Sequence, residues 1–181
     1  MNYNDIINMS YCRMNNLPDN IMNMINHQIF LELNASHIYT ALYSFVSNDK
    51  QSYPGFAKFL KKSSKEEMEH AYKFIEYLNS RGGDVRINNL QTPQFLLLND
   101  GTSTLFQIIN FILNLENQIF QSLKNIKDNC NDCALETFLD PFLEEQIKAQ
   151  FELATLLRKI QRVGNDGTGL NMLDDEMNNK Y

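Results

Sequence analysis

The chain has 181 residues, 22 acidic and 16 basic side chains, a net charge of −6, three Cys, seven Gly, four Pro and no Trp. That length suits one domain with its own core, and so few Gly and Pro disfavour a turn-rich all-β fold. The acidic balance lacks the basic patch of a nucleic-acid binder, and three Cys make no disulfide framework.

No stretch approaches eighteen consecutive apolar residues, so no membrane span is expected. The first residues, MNYNDIINMSYCRMNN, lack the marks of a secretory signal or a transit peptide. A soluble cytoplasmic protein is the expectation.

Residues 1–17 have no sustained period and read as an N-terminal arm. Pro18-Asp19-Asn20 opens a helix, with Pro tolerated in a first turn, and its apolar pattern runs to about Val46. Asn48, Asp49 and Ser52 mark a turn. Pro54 opens a second helix to about Ser80, which Arg81-Gly82-Gly83 ends. Residues 82–101 show no helical period. Asp100-Gly101-Thr102-Ser103-Thr104 supplies cap chemistry for a third helix reaching about Lys127. After a polar break at 128–132, a fourth helix runs from about Cys133 to Val163, with Pro141 inside it and a kink expected there. Gly164, Gly167 and Gly169 are read as its end, and 170–177 as a short fifth helix.

The fold expected is all-α: a four-helix bundle over 18–163, then a short C-terminal helix and tail over 164–181. Short breaks make helices one and two, and three and four, antiparallel hairpins. About twenty residues between helices two and three can reach roughly 66 Å. That covers a helix of about 42 Å, so helix three would run parallel to helix two.

The core-facing stripes, read at steps of three and four, locate the chemistry. Helix one gives Ile21, Ile25, Gln28, Glu32, Ala35, Tyr39, Leu42, Val46. Helix two gives Phe56, Leu60, Ser63, Glu67, His70, Phe74, Leu78. Helix three gives Leu105, Ile109, Ile112, Glu116, Ile119, Leu123, Ile126. Helix four gives Leu135, Leu139, Phe142, Gln146, Ala149, Leu153, Leu156, Ile160.

Glu32, Glu67, Glu116 and Gln146 thus interrupt the four stripes near mid-helix. Buried carboxylates are costly unless neutralised or paired, and no Lys or Arg lies on these stripes. A bound multivalent cation, or a pair, resolves the conflict. Glu67 and His70 are neighbours on one helix face and can share a metal. Carboxylates with one imidazole suit iron, manganese or zinc. Tyr39, two turns from Glu32, is placed to hydrogen-bond a ligand. His27 and His37 read as surface or packing residues. Cys130 and Cys133 form a C-x-x-C with no second ligand pair for zinc and no βαβ context for redox work.

Five segments carry a likeness to a known family: IFLELNASHIY at 29–39, SKEEMEHA at 64–71, RGG at 81–83, LENQ at 115–118 and LEEQIKA at 143–149. Spread across residues 21–163, they resemble the ferritin family, whose four-helix carboxylate sites are a known architecture. The chain looks like the catalytic, heavy-chain type of eukaryotic ferritin. The resemblance implies a ferroxidase. Glu32, Glu67 and His70 would match a first iron site, Glu67 would bridge, Glu116 with Gln146 would match a second, and Tyr39 would stand beside them. It implies two Fe(II) per subunit, oxidised by dioxygen or peroxide. Fe(III) would then be stored as mineral in a homo-oligomeric, 24-subunit cage.

Glu66 and Glu69 match inward glutamates that ferritins use in mineral nucleation, whereas Tyr72 stands at the next such position. Ala149 stands where bacterial ferritins often carry a glutamate for a third iron. Asp132, Glu136 and Asp140 are candidate channel acids, while Leu139 occupies a usual acidic position. The segment from Leu170 to Tyr181 is short and acidic where the family carries an apolar helix. Two other readings stand beside this one: a non-catalytic, scaffolding ferritin subunit, and a mini-ferritin protecting against peroxide with its metal between subunits.

Overall fold

The computed structural model describes residues 17–90, 103–164 and 167–181. It contains five helices and, among the described residues, no strand: α1 Asp19–Val46, α2 Pro54–Ser80, α3 Thr104–Asn129, α4 Cys133–Val163 and α5 Gly167–Lys180. Most of the expected arm and the second half of the long connection lie outside the described residues. Leu17, assigned to the arm, is buried in the core.

Local chemistry sets the ends. Pro54 is the first residue of α2, where its missing N–H costs nothing. Gly82 adopts a φ of 71°, and the Gly83 N–H returns to the Leu78 carbonyl at 3.0 Å, closing that helix. Ser103 caps α3 by accepting the Phe106 N–H at 3.2 Å. The α3–α4 break is shorter than expected, because α3 continues to Asn129. Asp132 caps α4 by accepting the Leu135 N–H at 2.8 Å. The same carboxylate forms a two-pronged ion pair with Arg81, at 3.1 and 2.6 Å. Arg81 thereby holds Asp132 down to about 2. Helix α4 is assigned continuously through the exposed Pro141 and ends at Gly164, whose φ is 61°.

Side-chain ties establish the topology. Asn26, near the start of α1, donates to the Asp84 carbonyl at 3.0 Å and accepts from the Arg86 N–H at 2.7 Å. The end of α2 therefore lies beside the start of α1, and the two helices are antiparallel. The Arg81–Asp132 pair puts the end of α2 beside the start of α4. Since α3 ends at that same turn, α3 runs parallel to α2, as the long crossover requires.

Every expected stripe residue is buried except His70 and Ala149, which are half-buried. The core is built from large aliphatic and aromatic side chains, among them Ile25, Ile29, Leu42, Phe56, Leu60, Phe74, Ile109 and Ile112. Helix α1 buries more than one stripe, because Ile29 and Ile38 are also enclosed.

The fifth helix is longer than expected, and Gly167 and Gly169 lie inside it instead of ending α4. Packing overrides their poor propensity, since Leu170, Leu173, Asp174 and Met177 are all buried. Asp174 caps a different helix: its Oδ1 accepts the Phe56 N–H at the start of α2, at 2.9 Å. Gly55 allows the approach, because a Cβ there would sit 2.0 Å from the Asp174 carbonyl oxygen.

Candidate metal centre

The helix period turns one mid-helix side chain of each bundle helix inward. Glu32 comes from α1, Glu67 and His70 from α2, Glu116 from α3 and Gln146 from α4. All four interrupting residues are buried, Glu32 to 1% exposure and Glu116 to 2%. One ligand atom each of Glu32, Glu67 and His70 lie within 4.8 Å of one another, a spacing that could hold a metal ion. The Glu67 carboxylate is 3.4 Å from Nδ1 of His70.

The second half of the set is joined by hydrogen bonds. The Tyr39 hydroxyl, on α1, donates to Oε1 of Glu116. Gln146 donates through Nε2 to Oε2 of Glu116 at 2.6 Å and to its carbonyl at 3.2 Å. Tyr39 and Gln146 thus hold Glu116 from two sides. Donated hydrogen bonds lower a carboxyl's pKa, but burial dominates, and Glu116 is pushed up. Tyr39 is raised well above its usual range by burial first, then by the charge of Glu116.

Burial and crowding act on the first half too. Glu32 is raised well above the usual carboxylate range by desolvation and then by Glu67. Glu67 is pushed up to about 8, by desolvation and then by Glu116. Carboxyls that bury charge so poorly, set against one imidazole, form a hard oxygen-rich donor set suited to a multivalent cation.

Two neighbours were not singled out from the sequence. Gln28 donates through Nε2 to Oε1 of Glu32 at 2.6 Å. It is a stripe residue, so a second polar interruption one turn before Glu32 was its signal. Glu145 brings Oε2 within 3.3 Å of Nε2 of His70, from α4 to α2. It adjoins Gln146, and nothing in the period marks it, because it lies half outside the stripe.

A cleft of about 510 Å³ between α2 and α4 reaches this set. Glu67, His70, Glu116 and Gln146 line it, together with Glu66, Glu145, Met177 of α5 and Tyr181 just past that helix. Glu66 pairs with Lys62 at 3.0 Å. Glu69 is exposed and does not line the cleft, whereas Glu66 lines it together with the buried set. Of the channel acids, Asp132 is committed to Arg81 and Asp140 pairs with Lys127. Cys130 is half-buried and Cys133 exposed, both free thiols. His27 and His37 are exposed.

A family model described as a ferritin-like domain matches residues 22–163. The chain belongs to the ferritin family. It is 38% identical over 150 residues to Ferritin-2, chloroplastic, of Zea mays, covering 81% of this chain and 60% of the maize protein. It is 36% identical over 156 residues to the Soma ferritin of Lymnaea stagnalis, covering 84% and 87% of the two chains. The crystal structure of a ferritin from the green alga Ulva pertusa superposes with a TM-score of 0.86 at 32% identity, over 97% of this chain and 93% of that one. The matched span contains every residue of the buried donor set. No helix among the described residues is long and apolar enough to cross a membrane.

Proposed function

We propose that this ferritin-family chain is a ferroxidase and iron-storage subunit, with residues 18–163 as its functional domain. The observation that carries the reading is the convergence of Glu32, Glu67 and His70 within 4.8 Å, inside a bundle and beside the Tyr39–Glu116–Gln146 group. Iron is the substrate. Two Fe(II) bind, one at Glu32, Glu67 and His70, the other at Glu67, Glu116 and Gln146. Each loses one electron, and dioxygen takes up both electrons and two protons to leave as hydrogen peroxide.

The residues suit this turnover. Glu67, held protonated up to about pH 8 without a cation, releases its proton as an ion binds. Tyr39 and Gln146 hold the Glu116 carboxylate in place. Gln146, a neutral amide, is a weaker ligand than a second carboxylate or histidine, which favours iron that binds, reacts and leaves. The cleft toward Glu66 and Glu145 offers the way out, and the product accumulates as mineral inside a homo-oligomeric cage of 24 subunits. The proposed compartment is the cytoplasm, although the maize relative is chloroplastic. Cell fractionation separates the two.

A mini-ferritin reading is disfavoured, because the donor set lies within one chain's bundle and includes α3 and α4. Aerobic addition of Fe(II) tests the main reading. The wild-type protein should give a rapid near-ultraviolet rise from Fe(III). A Glu67→Ala/His70→Ala variant should slow it by at least about 100-fold, the scale of losing ligands and not only their supports. Wild-type speed in that variant would refute the assignment. A wild-type protein that assembles but consumes no oxygen would instead be the non-catalytic subunit.

A further inference from the structure

Gln28 is enclosed completely, at 0% exposure, in a stretch of α1 whose other buried positions are Ile21, Ile25, Asn26 and Ile29. A Leu there would pack without burying an amide, so the amide is explained by what it does. Its Nε2 donates to Oε1 of Glu32 at 2.6 Å, one turn along the same helix. Oε1 of Gln28 itself is then left buried with no hydrogen-bond partner among the described residues, while the Glu32 carboxyl, besides taking the Gln28 amide, meets the carboxyl of Glu67. Buried acceptors are normally satisfied, and the unpartnered amide oxygen of Gln28, one turn from Glu32, points to something bound there.

The two central glutamates contrast. Both oxygens of Glu116 are engaged, one by Tyr39 and the other by Gln146. Glu32 takes an amide donor on one oxygen only, and its other neighbour is Glu67, a member of the same trio whose ligand atoms cluster. A donor that ties down one carboxylate oxygen makes the other the single coordinating atom and stops the carboxylate from rotating to chelate.

We propose that Gln28 is a positioning residue of the metal centre. It aims Oε2 of Glu32 at the first bound cation and accepts, on its own carbonyl oxygen, a hydrogen bond from a water of that cation's hydration shell. This rests on the proposed metal site, so the test separates the two.

The experiment titrates metal-free protein with Co²⁺, following visible absorption, in the wild type, in Gln28→Met and in Glu116→Ala. Met keeps the volume and removes both the donor and the carbonyl. Glu116→Ala identifies which binding step belongs to which position. For Gln28→Met the first step should weaken by about 10- to 100-fold, the usual cost of losing a ligand's support. Its absorption spectrum should change as Glu32 is released to chelate, while the second step stays as in the wild type. An unchanged first step and spectrum would make Gln28 a packing residue and overturn the proposal. Equal weakening of both steps, with helical content retained, would also overturn it, since that is a general disturbance of the bundle. Should Gln28→Met fail to fold, Gln28→Leu is read by the same criteria. A wild-type protein that binds no Co²⁺ at the bundle centre would sink the metal site itself, not Gln28 alone.

Discussion

Glu67 shows how single residues here are set by their surroundings. Desolvation in the bundle pushes its pKa from the ordinary carboxylate range up to about 8. Between about pH 4.5 and 8 the folded, metal-free protein keeps a proton there that the unfolded chain has released. The folded state then binds more protons than the unfolded one, so stability falls as pH rises through this window, by about 1.4 kcal/mol per unit for each such group. Asp132, held down to about 2 by Arg81, acts with the opposite sign and only at lower pH. The melting temperature of the metal-free protein should therefore drop between pH 5 and pH 8. Saturating Zn²⁺ should remove that drop, because coordinated carboxylates are already deprotonated. Calorimetry at four pH values decides it, and a metal-free protein that gains stability over the window would contradict the burial argument.

At the scale of elements, two ties hold the bundle ends. Arg81 and Asp132 join α2 to the α3–α4 turn, and the same aspartate caps α4. At the other end, α5 docks on the start of α2 through Asp174 and the bare backbone of Gly55. A Cβ at Gly55 would lie 2.0 Å from a backbone oxygen, which no side-chain rotation relieves. Gly55→Ala should displace α5 and cost about 1–3 kcal/mol, as overpacking does. At about 2–4 °C per kcal/mol for a chain of this size, that lowers the melting temperature by roughly 2–12 °C. Hydrogen exchange should quicken in α5 and at the Phe56 amide while α3 keeps its protection. Unchanged exchange in α5 would show that the docking seen here contributes nothing. The sequence carried little sign of this contact. Gly167 and Gly169 suggested a stop, whereas the buried face of Leu170, Leu173 and Met177 carries the helix through.

At the scale of the molecule, the family assignment and the proposed cage make a size prediction. Sedimentation should give a particle of roughly 24 subunits, and a stable monomer or dimer would contradict the cage. Assembly would also bury side chains now exposed, such as Ile87 and Leu90 on the crossover and Phe151 on α4.

The four long helices, their inward faces and the central polar residue of each were legible from the chain alone. Helical period is local: desolvation selects side chains every three or four residues, and Pro, Gly and capping residues mark the ends. The directions of the helices followed from the loop lengths, but side-chain contacts between helices were not legible, because they depend on how each helix is rotated and offset against its neighbours, and no spacing along one chain records that. Only the tertiary structure puts Glu145 beside His70, Tyr39 and Gln146 on opposite sides of Glu116, and Asp174 at the start of α2. Gln28 lies between these cases. Its place on the stripe could be read, but its bond to Glu32, and the amide oxygen it leaves unpartnered, required a packed core.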